Sequence, residues 1–135
     1  MAEIKTLNPE ALGKAPAQYS HVTRVKASEF LFIAGQIARD KAGNLVGVDN
    51  FEAQCSQVFI NIEAALKAAG AGWKNVVQFT TYIVHSQDIP KLRNFRANEF
   101  PKMFPDGVFP PNTLVVADRL AEEALLIEVQ TIAAL

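Results

Sequence analysis

Two amides carry the most suggestive chemistry in this chain. Asn112 follows Pro110-Pro111 and opens the apolar run Leu114-Val115-Val116-Ala117, and Gln130 stands within Ile127-Glu128-Val129-Gln130-Thr131-Ile132. Both segments read as strands, and as neighbours they bring Asn112 and Gln130 within reach of one pocket. A side-chain amide donates and accepts hydrogen bonds, but it carries no charge and cannot serve as a general base near neutral pH. For Asn112 the competing reading is a turn residue satisfying local backbone, and for Gln130 a wet subunit interface. Arg93 and Arg96 lie one helical turn apart and supply positive charge if their helix borders the pocket; a solvated helix face is the alternative. Arg119 is expected to pair structurally with Asp118 or Glu128.

Other reactive groups offer less. His21 and His85 are isolated, and Ser20, Ser28, Ser56 and Ser86 have no evident His/Asp partners, so a nucleophilic triad is unsupported. The single cysteine, Cys55, lies on an apolar stripe and reads as a buried, inert thiol with no companions at metal-ligand spacing. Neither a metal nor a cofactor is expected.

The elements that must position these groups are legible in the pattern. Val22 to Val25 and Phe30 to Ala34 read as strands. A helix starts at Asp49, capped by its carboxylate with Glu52 completing a capping-box pattern, and its apolar face runs through 51, 55, 58, 59, 62, 65, 66 and 69. Gly70 and Gly72 end it. A strand over Val76 to Val84 sets Val77, Phe79, Thr81 and Ile83 against Gln78, Thr80 and Tyr82. A second helix begins near Ser86 to Asp88, holds Pro90 in its first turn, and should end or kink at Pro101. The order is β-β-α-β-α-β-β. Two strand-helix-strand crossovers imply a mixed sheet with both helices on one face, since such crossovers are right-handed. The other face keeps apolar side chains with no helix to cover them, and self-association through it follows.

At 135 residues, half of them apolar, the chain reads as one domain over residues 1–135. Thirteen basic residues against fourteen acidic ones leave a net charge of -1, with no basic run to neutralise phosphates, so nucleic acid is not an expected partner. No signal-like segment opens the chain and no long apolar stretch crosses it, which points to a cytoplasmic protein without a membrane partner.

From about Tyr19 to the C-terminus, these segments resemble in order the Rid (YjgF/RidA) family of reactive-intermediate deaminases, also labelled the endoribonuclease L-PSP family. Ile33-Ala34-Gly35-Gln36-Ile37 resembles its strand ending in Ser-Gly-Gln-Ile. Asn61-Ile62 with Leu66 to Gly70 resembles its first helix, and Asn94 with Ala97 and Phe100 the start of its second. Pro111-Asn112-Thr113, Ala117 to Leu120 and Ile127 to Gln130 resemble its C-terminal signature.

The resemblance implies a chorismate-mutase-like (YjgF-type) α+β domain, with a mixed six-stranded sheet and two helices on one face. It further implies a homotrimer with small-molecule pockets between subunits, bound by Asn112, Gln130, Tyr19 and Asn94. Tyr19 resembles an aromatic that closes the family's pocket, with a surface tyrosine as the other reading. Asn94 resembles a pocket asparagine, with one extra residue between it and Asn112. Deaminating members hydrolyse enamines and imines to ketones and ammonia, using a strand arginine for the substrate carboxylate and a glutamate on the last strand. Here Asn112 and Gln130 stand at those positions. The expectation is therefore an arginine-lacking member, a deaminase-like hydrolase of altered range or a non-catalytic, chaperone-like binder, and not a typical 2-imino acid deaminase. The family's older labels, endoribonuclease and translation inhibitor, fit poorly with balanced charge and no aromatic-basic surface.

Overall fold

The computed structural model describes all 135 residues. Six strands and two helices follow the order β1 (Glu3–Leu7), β2 (Val22–Lys26), β3 (Phe30–Gln36), α1 (Phe51–Ala68), β4 (Val76–Ile83), α2 (Ile89–Met103), β5 (Asn112–Val116) and β6 (Ile127–Ala134). This is an α+β domain. The six strands do not share one ladder: β1 and β2 form an antiparallel ribbon, while the other four form a mixed sheet in the order β3-β6-β4-β5. β1 escapes a reading by pattern because five residues carrying Glu3 and Lys5 leave a weak apolar alternation.

Within the four-stranded sheet, β4 and β5 are parallel neighbours, and β6 runs antiparallel between β3 and β4. Both helices thus serve as crossovers between parallel strands, α1 from β3 to β4 and α2 from β4 to β5. Phe79, Thr81 and Ile83 of β4 and Ile127, Val129 and Thr131 of β6 are buried on the helix side. There they meet an aromatic cluster centred on Phe59, whose ring packs 5.4 to 5.9 Å from those of Phe79, Phe95 and Phe100. Burying one such ring contributes about 1.5–3 kcal/mol, so this cluster dominates the attachment of α1 and α2 to the sheet.

Helix boundaries follow local chemistry, with two differences from expectation. Asp49 does not cap α1, because it takes a left-handed turn at φ 53°. The cap passes to Asn50, whose extended backbone lets Oδ1 accept from the Ala53 N–H at 3.0 Å. At the other end Gly70, at φ +74°, closes a Schellman motif in which Ala71 N–H donates to Leu66 O and Gly70 N–H to Lys67 O. Pro101 does not stop α2, which continues to Met103. Phe100 and Phe104 are buried on either side of it and hold the last turn against the core.

The sheet's second face has no helix. Phe30 and Phe32 of β3 remain 48% and 75% exposed, and Val115 of β5 adds to the same face. No helix is long and apolar enough to cross a membrane.

Candidate functional site

β5 is the edge strand beneath α2, and its first residue is Asn112. In the parallel register Asn112 stands opposite Phe79, so its side chain shares the helix-facing side with Phe79 and Thr81. The Thr81 hydroxyl donates to Asn112 Oδ1 at 2.7 Å, which fixes the amide and leaves its NH2 without a protein acceptor. Above it lies a cavity of about 210 Å³ between α2, β5 and residues 16–19, where Tyr19, Leu92, Arg93, Arg96, Asn112 and Leu114 meet. Asn112, Tyr19 and both helix arginines are therefore brought together. Tyr19 also borders a wider hollow that includes Asn8 and Phe109, so its ring stands between two openings.

Gln130 lies elsewhere. It pairs with Thr80, one residue out of phase with the Phe79 and Asn112 pair, and so faces the helix-free side, exposed. The expectation that Asn112 and Gln130 share one pocket fails within a single chain for this reason: β4 lies between them and the two-residue period points them to opposite faces. Asn94 is exposed on α2 and does not line the cavity. Arg119 pairs with neither Asp118 nor Glu128 but with Glu123, at 2.7 Å. Glu128 instead lies on the helix-free face against Gly35, where an added Cβ would sit 2.1 Å from its Oε1. Any larger residue there would have to displace the Glu128 side chain.

The electrostatics of the cavity rest on Arg96. Its guanidinium carries five N–H donors, is buried to 5% exposure, and makes one hydrogen bond, from Nη2 to the Gln18 carbonyl. Nε is buried without a partner, and no carboxylate lies within ion-pair distance. The Phe100 ring lies 4.4 Å below Cζ, a cation–π contact. Burial pushes the group below the usual guanidinium range to about 10, with Tyr19 opposing, so it stays cationic at neutral pH. Arg93, exposed, adds a second guanidinium at the rim. No Asp, Glu or His lines the cavity. The arrangement can hold an anion and donate hydrogen bonds, but it contains no group to take up a proton.

Sequence reasoning missed the polar residue that organises the neighbouring loop. Gln54 of α1 is fully buried, donates from Nε2 to Gly47 O and Ala124 O, and accepts at Oε1 from Leu126 N–H at 2.8 Å. Its place between Ala53 and Cys55, on the inward helical face, was the available signal. No three His, Cys, Asp or Glu groups cluster as a metal site would require.

Comparison with known proteins assigns the chain and its fold to a family. Residues 10–135 match the family model described as Endoribonuclease L-PSP. A RutC family protein of Pyrococcus horikoshii is 38% identical over 110 residues, covering 81% of this chain and 82% of the relative. A bovine 2-iminobutanoate/2-iminopropanoate deaminase is 28% identical over 93 residues, 68% of each chain. A Yersinia pestis protein of the conserved Rid family, itself of unknown function, superposes with a TM-score of 0.88 at 32% identity, covering 98% of both chains. The chain belongs to the Rid (YjgF/RidA), or endoribonuclease L-PSP, family.

Proposed function

We propose that the protein binds a small carbonyl, enamine or imine metabolite as a homotrimer, and acts as an enamine/imine deaminase of altered substrate range. The observation that carries this reading is the cavity at Asn112. It combines free amide donors, Tyr19 and two guanidinium groups, yet has no carboxylate or imidazole. Such a site polarises a carbonyl or imine nitrogen by hydrogen bonding and leaves proton transfer to water or to a neighbouring subunit. Relationship to the bovine deaminase supports the reaction class. Asn112 and Gln130, at the positions where the resemblance implies an arginine and a glutamate, support a site that holds its substrate differently from typical members, and with it an altered substrate range.

The exposed Phe30, Phe32 and Val115 support the trimer, since a bare apolar sheet face needs a partner and Gln130 and Glu128 lie on it. Phe32→Glu should convert the trimer to monomer in sedimentation. A wild-type monomer at micromolar concentration would sink that part of the reading.

The absence of a base also favours a second reading, a non-catalytic or chaperone-like binder. Coupling the protein to a pyridoxal-phosphate dehydratase and following keto-acid release separates the two. The deaminase reading expects faster release from some amino acid precursors at catalytic protein levels, with loss on Asn112→Ala. No acceleration with any precursor leaves the binder.

A further inference from the structure

We propose that the cavity between α2, β5 and residues 16–19 binds the carboxylate of a small, apolar-bodied metabolite through Arg96 and Arg93. The positive charge missing from the strand is thereby supplied by the helix above it. This deepens the metabolite-binding reading and rests on it for the carbonyl half of the ligand.

Three observations converge. The Arg96 guanidinium is almost wholly buried and has no carboxylate partner, one of its nitrogens has no acceptor, and its one hydrogen bond goes to a backbone carbonyl. A buried cation left in this state is costly, and a bound anion is what would offset it. Second, the side chains lining the same space bring a further guanidinium, Arg93, and no acidic group, so the formal charges around the cavity are positive only. Third, Asn112 has its oxygen occupied by the Thr81 hydroxyl, so only its NH2 is offered to a ligand. The group beside it must be an acceptor, as the oxo oxygen or the second carboxylate oxygen of such a metabolite is.

Leu92 and Leu114 form the remaining wall, which suits a short aliphatic body. A space of about 210 Å³ holds a short oxo acid and excludes a nucleotide. Because planar guanidinium groups match carboxylate geometry, lysine at either position would be a poor substitute.

The test is calorimetric titration of the full chain with pyruvate, its uncharged amide pyruvamide, and acetate, at constant ionic strength. Pyruvate should bind, with pyruvamide weaker by about tenfold or more. Arg96→Met and Arg93→Gln should each weaken pyruvate by about tenfold and leave pyruvamide unchanged, whereas Lys67→Gln, on the far helix, should alter neither. Arg93 is exposed, so its variant reports on binding even where Arg96→Met lowers the melting temperature. Equal affinity for pyruvate and pyruvamide in the wild type overturns the carboxylate site while leaving the carbonyl reading standing. Acetate binding as tightly as pyruvate does the reverse. Equal weakening of both pyruvate and pyruvamide by the arginine variants, or no pyruvate binding at all, overturns the proposal.

Discussion

Gln54 and Arg96 are both polar side chains buried on helices against the same sheet, yet the protein treats them in opposite ways. Gln54 meets two carbonyls and one N–H, so its amide is saturated by the chain itself. Arg96 has five donors, one protein acceptor and no counter-ion. A buried polar group that the fold satisfies is scaffold. One left short, at the edge of a cavity, has capacity to spare for something that is not part of the chain.

Substitutions that remove each group sharpen this contrast. Gln54→Leu strands the Gly47 and Ala124 carbonyls and the Leu126 N–H, and should cost about 3–5 kcal/mol in denaturant unfolding. Carboxylate affinity of the folded fraction should stay near wild type; a stable Gln54→Leu protein would break the distinction from the scaffold side. Arg96→Met should change stability by only about 1 kcal/mol in either direction, since it removes an unpaired buried charge along with a single hydrogen bond and a ring contact. A loss as large as that of Gln54→Leu would make Arg96 scaffold as well.

Cys55 adjoins Gln54 and tests how tightly that region is sealed. Burial, then the carboxylates of Glu52 and Asp88, raise its thiol far above the ordinary range. Iodoacetamide at pH 8 should leave the native thiol unmodified and label it on unfolding. Faster labelling in Gln54→Leu would tie the seal to that amide.

The smallest effect is alkaline. With the folded Arg96 near 10, below the ordinary guanidinium range, the unfolded chain holds that proton more tightly above pH 10. Arg96 therefore adds no slope to stability at neutral pH, and its burial penalty is relieved as pH rises through about 10. Carboxylate affinity should be flat from neutrality to about pH 9 and then fall, whereas Arg96→Met should remove that fall.

Much of this was legible before any coordinates. The 3.6-residue apolar spacing of α1, the period-two alternation of β4 and the glycine after Ala69 each depend on neighbours a few residues away, so the sequence states them directly. The order of strands and helices followed, as did the helix-free sheet face and the family, whose signature is spread along the chain. The cap moved from Asp49 to Asn50 because a left-handed turn intervened. β1 was missed because its apolar alternation is short and interrupted by charge.

The site divides along the same line. Sequence alone determined that amides stand at 112 and 130, where the resemblance implies an arginine and a glutamate, and an amide can supply neither a guanidinium's charge nor a general base. It also singled out Arg93 and Arg96, one helical turn apart, as candidates to bring positive charge to the pocket. Only the tertiary structure decided that Asn112 and Gln130 face opposite sides of the sheet, because facing depends on inter-strand register. Only it decided, too, that Arg96 is buried unpaired beside Asn112, because that requires α2, β5 and the distant residues 16–19 to close around one small space.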